Sequence, residues 1–397
     1  MKATRLLALV SVLGCASALW TSSALAIPAF ARKYDKPCSS CHTAWPLLNK
    51  AGRSFKEAGY RFPSDAEHAQ TVSDDLYWDK DFPIAAVLKA RPYDKKDSAD
   101  DAQLRALHEV ELLAAGVVGK QWSGFFEFEA EDETGFELEF AQGVIGWHYS
   151  PAINVQFADA PIVLADPYDT FYQRRLTRNQ PGTIDKSFGG ADNAGTVSAN
   201  RQMVSLYGRP LEKLFYNVGY SGAAGTNEGE AAETLHARVA VDVMPNVMIG
   251  GFWMHGTCNA TGETDAGGSG NCLVDRDFTR AGVDVQADLG DFRLTGAFLS
   301  ADDDNADATD EVSNTAYYVQ ALYVFKGRES QPTWVPLLRY DSTESNNGKD
   351  KTTALTFNIH YYFRENVKGF LEFYTETDVP ASKKEDNRLT LQFEVGF

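Results

Sequence analysis

From about residue 82 to the end of the chain, hydrophobic residues fall on every second position. Side chains of a β-strand alternate between two faces, so this period marks strands with one apolar face. In "LHARVAVDV", Leu235, Ala237, Val239, Val241 and Val243 share one face, and His236, Arg238 and Asp242 the other. In "TTALTFNIHYYF", Leu355, Phe357, Ile359, Tyr361 and Phe363 lie opposite Asn358 and His360. "SGFFEFEAE" sets Phe126 and Phe128 against Glu127, Glu129 and Glu131. Sixteen such segments are predicted: 83–92, 106–118, 122–131, 135–148, 152–160, 200–208, 213–221, 233–243, 247–256, 277–288, 291–300, 314–325, 332–341, 352–363, 367–376 and 387–397.

The connections sort by length. Those after even strands are short, such as "YSP", "MPN" and "REN". Those after odd strands are mostly longer, including 161–199 and 257–276. Short periplasmic turns, long external loops and an even count are what a bacterial outer-membrane barrel requires. The last strand, "RLTLQFEVGF", ends on Phe397, and a terminal strand closed by an aromatic resembles the recognition strand of such barrels. A soluble sandwich would alternate too, but its strands are usually shorter. The fold class expected is all-β: a roughly 16-stranded transmembrane outer-membrane barrel.

Before residue 82 the pattern is different. Lys2 and Arg5 precede an apolar run from Leu6 to Trp20, and Ala24-Leu25-Ala26 is a small-x-small cleavage site. Residues 1–26 therefore read as a secretory signal peptide. A rival reading takes Val12-Leu13-Gly14-Cys15 as a loose lipoprotein box. The division expected is signal 1–26, a small N-terminal domain and linker 27–75, and a porin-like barrel 76–397.

The whole chain of 397 residues carries a net charge of −18, which argues against nucleic acid as a partner. Without Lys2 and Arg5 the charge is −20. Against that background residues 27–63 are basic, with seven Lys or Arg facing only Asp35 and Glu57, a net of +5. Early inward positions of the barrel are acidic: Glu109, Glu111, Glu127, Glu129, Glu137 and Glu139. The bland reading is that these are solvated. The sharper expectation is that the basic domain lodges in the lumen with its cations facing them, because some 50 residues hardly bury a cofactor alone.

The chemistry is carried by "DKPCSSCHTAW". Cys38, Cys41 and His42 form Cys-x-x-Cys-His, the attachment signature of c-type haem. Two thiols about one turn apart bond one porphyrin, and the adjacent histidine is a proximal iron ligand. A zinc site would need two more ligands close by, and the next histidine is His68. His68 is either the distal ligand or an exposed linker residue; His236, His360 and Met203 are other inward candidates. Pro46 marks a possible helix start, with Leu48, Ala51, Phe55 and Ala58 at helical spacing and Gly59 as a stop. Cys258 and Cys272 flank a Gly-rich loop and read as a disulfide in an oxidising compartment, with a two-thiolate metal site as the alternative.

"IPAFARKYDKPCSSCHTAWPLLNKAGRSFKEAGYRF", followed by such a barrel, resembles the fused outer-membrane monohaem cytochrome–porins, several of which are associated with extracellular iron oxidation. The resemblance implies one haem c and an iron-oxidising cytochrome in a Gram-negative outer membrane. It further implies an electron conduit between an extracellular donor such as Fe(II) and a periplasmic carrier such as a soluble c-type cytochrome. It carries over to Cys38, Cys41 and His42 only. Outward or non-iron electron transfer, or a diffusion porin with a haem-containing plug or sensor, are the alternatives. The acidic loop 301–311 could gather cations or simply be solvated.

Overall fold

In the computed structural model the described residues are 28–62, 70–73, 76–78, 84–119, 121–172, 176–188, 195–224, 234–258, 274–305 and 308–397. The signal segment and His68 lie outside them. Sixteen long antiparallel strands form one closed barrel. They are β1 (Ile84–Lys96), β2 (Gln103–Val118), β3 (Trp122–Glu131), β4 (Glu139–Ser150), β5 (Ile153–Pro161), β6 (Asn200–Leu211), β7 (Leu214–Ser221), β8 (Thr234–Met244), β9 (Val247–Cys258), β10 (Arg276–Leu289), β11 (Phe292–Asp304), β12 (Glu311–Tyr323), β13 (Pro332–Ser345), β14 (Asp350–Arg364), β15 (Val367–Asp378) and β16 (Asn387–Gly396). The ring closes where β16 pairs with β1, Leu391 opposite Tyr93. A two-residue strand, Phe325–Lys326, adds to β13 in the turn before it.

Closure removes every edge, so each backbone group of the wall finds its partner within the sheet. The alternation then has two sides. Leu235, Phe357, Ile359 and Phe363 face outward and are exposed, whereas His236, Arg238, Asn358 and His360 face inward and are buried. An apolar outer face over a polar interior is the inverse of a soluble protein. It is stable only in a bilayer.

Several strand ends differ from the sequence expectation, and three of them are instructive. β4 begins at Glu139 rather than 135, because Gly135 and Phe136 take φ of 68° and 63°, which breaks an extended backbone. β13 and β14 run on to Ser345 and back from Asp350, beyond the apolar stretch. Their polar ends keep pairing, Ser345 opposite Asp350, where no lipid demands hydrophobic side chains.

The long connection after β5 does not stay outside. Ile162, Val163, Leu164 and Phe171 turn inward and pack with Met203, Phe252 and Met254. Arg238 holds this segment to the wall, with Nε at 2.7 Å from Asp166 and Nη1 at 2.6 Å from Asp284. Farther along it is a one-turn helix, Gly182–Asp185.

The N-terminal segment is a compact plug. It comprises α1 (Pro28–Tyr34), a 3-10 turn at Cys38–Ser40, a ribbon of His42–Ala44 with Leu47–Leu48, and α2 (Lys50–Glu57). α2 starts at Lys50, four residues after Pro46. Leu47 and Leu48 are held in the ribbon, and Asn49 caps the helix by accepting from Gly52 N at 3.0 Å. Gly59, at φ 71°, ends it as expected. Leu48 and Phe55 are buried, but Ala51 is exposed, so the apolar stripe is narrower than its spacing suggests.

The plug sits inside the barrel at the short-turn end. Arg209 of β6 grips Glu57 with two bonds, 2.7 and 2.9 Å. Arg53 meets Asp288 of β10 at 3.0 Å, and Lys56 donates to Asp166 O at 2.9 Å. Arg293 of β11 donates to Leu48 O at 2.8 Å. These partners correct one expectation. Among the described residues, the plug's ion pairs run to Asp288 and Arg209 rather than to the early glutamates. Lys89 of β1 matches Glu109 at 2.8 Å and also pairs with Glu111. Glu137 and Glu139 are exposed near the β3–β4 connection rather than inside.

Candidate haem site in the lumen

The Cys-x-x-Cys-His stretch is short, and its backbone bonds are local. Cys41 N donates to Cys38 O at 3.0 Å, and Asn49 N to Cys41 O at 2.9 Å. Asn49 Nδ2 also donates to Ser39 O and Ser40 O, both at 3.1 Å. One asparagine thus caps α2 and ties the cysteine turn to it. Gly52 is required here: a Cβ would lie 2.1 Å from Cys41 O, so the helix packs backbone to backbone against the cysteine turn.

His42 is oriented from behind. Its Nδ1 is 3.1 Å from Pro46 O, and because a carbonyl only accepts, Nδ1 is the protonated nitrogen. Trp45 O accepts from Tyr362 of β14 at 2.7 Å and from Lys368 of β15 at 3.3 Å. The Lys368 ammonium also lies 4.6 Å from the Trp45 ring centroid. Glu365, in the turn between β14 and β15, accepts from Cys38 N at 2.5 Å. Strands more than 300 residues away in sequence therefore fix the pose of the motif.

Cys38, Cys41 and His42 line a cavity of about 670 Å³ between the plug and the wall. That is within the ~300–1,000 Å³ of small-molecule and cofactor sites. One side is aromatic: Phe55 stacks edge-on with Phe30 at 5.0 Å and Tyr34 at 5.7 Å, and packs on Phe62 at 4.7 Å. Tyr60 carries this cluster to Phe125 of β3, 5.5 Å away. The other side is acidic. Oxygens of Glu109, Glu111 and Glu129 lie within 4.8 Å of one another, close enough to repel strongly unless Lys89 shares the charge.

Burial, reinforced by Glu365, pushes the Cys38 thiol well above its ordinary range, and burial also raises Cys41. Both are thus held as thiols, a poor start for a thiolate metal site, which needs deprotonated sulfur. The residues fit a covalently attached haem: two thiols on one turn at the cavity surface, a histidine directly after them on the same cavity, and an apolar ring wall.

Other candidates fall elsewhere. His236 and His360 face the lumen and are 3% and 0% exposed, yet neither borders this cavity. His360 Nε2 is 2.6 Å from Leu176 O, so it serves the inward loop. Met203 is in the apolar cluster behind that loop. Cys258 is disulfide-bonded; Cys272 lies outside the described residues. In the acidic loop, Asp303 turns inward to Arg280 at 2.8 Å. Sequence reasoning missed Asn49, although Asn before a helical run is a cap signal. It also missed Glu365, Tyr362 and Lys368, for which no local signal exists.

No protein-family model matches the chain, and no curated protein does. Solved structures do. The chain is similar to the anion-selective porin from Comamonas acidovorans, with TM-score 0.57 and 13% identity over 79% of this chain and 98% of that one. A loop-deleted OmpT of Vibrio cholerae matches with TM-score 0.56 and 13% identity, over 79% and 98%. Salmonella typhi OmpF matches with TM-score 0.56 and 12% identity, over 83% and 100%. The chain has the outer-membrane porin fold. With its apolar outer wall, that makes it an outer-membrane β-barrel. Identity this low speaks for the fold alone.

Proposed function

We propose that this barrel carries single electrons across the outer membrane, between an external donor, Fe(II) by the resemblance of residues 27–63, and a periplasmic carrier. The observation that carries the reading is the position of Cys38, Cys41 and His42 on a cavity inside the lumen of a membrane-spanning barrel. Cys38 and Cys41 would hold one haem c through thioether bonds, and His42 Nε2 would ligate its iron. A haem bound there supplies one-electron redox chemistry. The chain's own residues do the rest. Pro46 O aims His42. The Phe30–Phe55–Phe62 wall keeps water away. Glu109, Glu111 and Glu129 surround the cavity with negative charge and so favour its more positive, oxidised state.

Visible spectra and redox titration of membrane-extracted protein, with and without Fe(II), test this. The expected result is a c-type spectrum that Fe(II) reduces. In His42→Ala the barrel should assemble, with the spectrum lost or altered; an unchanged spectrum removes the proximal assignment. Failure of Fe(II) to reduce intact haem leaves the haem and removes the donor.

A second reading has its own support. The porin likeness favours a diffusion channel whose plug carries or senses a haem, and one similar structure is the outer membrane channel DcaP of Acinetobacter baumannii. Planar-bilayer conductance separates the two. A filled lumen predicts little steady current, whereas a large steady conductance favours the channel.

A further inference from the structure

The cavity that Cys38, Cys41 and His42 line has a cationic end. On β1 the side chains of Ala85, Val87, Lys89 and Arg91 border it in turn. Glu365, which accepts from Cys38 N, marks the level of the motif at the short turns. Just above that turn Val367 pairs with Val395, and Val395 with Leu88. Arg91 lies about 10 Å farther up β1 at the usual strand rise, toward the long-loop side.

Arg91 is only 7% exposed, and its Nε donates to Gln392 of β16 at 3.0 Å. Among the described residues it makes no ion pair. The carboxylate on its own strand, Asp94, is taken. It accepts from Arg178 Nε at 3.1 Å and from Thr390 at 3.0 Å, and Arg388 Nε is 3.5 Å away. Arg178 comes from the inward loop, borders the same cavity and is close enough to repel Arg91. A buried cation without an acid is costly unless an anion reaches it. The cavity's other cations are committed or badly placed for that anion. Lys89 pairs with Glu109 and Glu111, Lys56 donates to Asp166 O, and Lys36 stands beside the cysteine turn itself. The glutamates of β2 and β3 repel a carboxylate from their own side.

The anion that fits belongs to the group the motif would attach. A haem c is bonded through the vinyl groups of two pyrroles and carries its propionates on the other two. We propose that Arg91 and Arg178 receive the haem propionates, with the thioether edge at the short turns and the carboxylate edge toward the exterior. This rests on the haem reading above and deepens it, since an electron from outside then enters by the carboxylate edge.

Resonance Raman spectra and redox titration of purified holoprotein test it. Arg91→Gln should displace the propionate bending band. It should also lower the haem potential, because propionate charge left unmatched favours the oxidised iron. The expected shift is about tenfold in the reduction equilibrium, ~59 mV for one electron. Arg91→Lys should restore the potential but not the band, since an ammonium keeps the charge without the planar fork. Migration on unheated gels checks that the barrel is intact. Arg178→Gln, at a residue on a loop rather than in the wall, should move band and potential the same way and serves if Arg91→Gln does not assemble. A c-type spectrum in the wild type with band and potential unmoved in the assembled glutamine variants overturns the assignment and leaves the haem reading standing. A wild type without a c-type spectrum removes both.

Discussion

Two sectors of the lumen are built from the same kinds of residue and do opposite things. Across β8–β11 the buried arginines Arg238, Arg280 and Arg293 each have an acid beside them. Arg238 bridges Asp166 and Asp284, Arg293 meets Asp169 at 2.6 Å, and Arg280 meets Asp303. Across β1–β3, Glu109, Glu111, Glu127 and Glu129 border the cavity with Lys89 as the cation that pairs two of them. Matched charge makes scaffold, because a buried pair holds two segments in one register. Like charges gathered at a cavity repel one another and are retained where they can act on an occupant. The difference separates what holds the inward loop from what faces the site.

The largest effect should come from breaking the matched sector. Arg238→Ala leaves Asp166 and Asp284 buried without their cation and should cost about 3–5 kcal/mol. Thermal or urea unfolding in detergent reads this; a loss under 1 kcal/mol, by the same scale, would show that the pairs are not a scaffold. Next is the plug's own anchor. Arg209→Ala removes both bonds to Glu57 and should loosen the plug by roughly 1–3 kcal/mol. Faster proteolysis of the N-terminal segment, with the barrel intact, is the expected readout, and equal rates would say the plug is held elsewhere.

Asn49→Ala should cost about 1 kcal/mol through the lost cap. Because Asn49 also ties down Ser39 and Ser40, the haem yield should fall further than stability does. Smallest in stability, and most telling, is Glu129→Gln. It keeps the side chain's size and removes one negative charge from the cavity wall, so unfolding should change little while the haem potential rises by on the order of tens of millivolts. A marked loss of stability with no change in potential would erase the contrast between the two sectors.

Much of the fold was legible, since alternation is a local property. Leu355, Phe357 and Ile359 announce an outward face wherever their partners lie. The charge partners were not legible. Arg32 to Arg61 looked complementary to the early glutamates, yet Arg53 reaches Asp288 and Glu57 reaches Arg209. Sign and proximity in sequence do not say which rung of the wall a side chain meets. The lining histidines misled for the same reason: period two puts His236 and His360 in the lumen but not on the cavity.

By itself the sequence determined the period-two wall, its sixteen segments with short and long connections, and the Cys38–Cys41–His42 motif. Each depends on residues within a few positions of one another. Only the tertiary structure decided that the long loop after β5 folds inward and that the plug sits at the short-turn end. It alone set Glu365, Tyr362 and Lys368 around the motif. Those contacts form when the barrel closes and brings β14–β16 beside β1 and the plug. Closure is a property of the whole ring, which no local run of residues encodes.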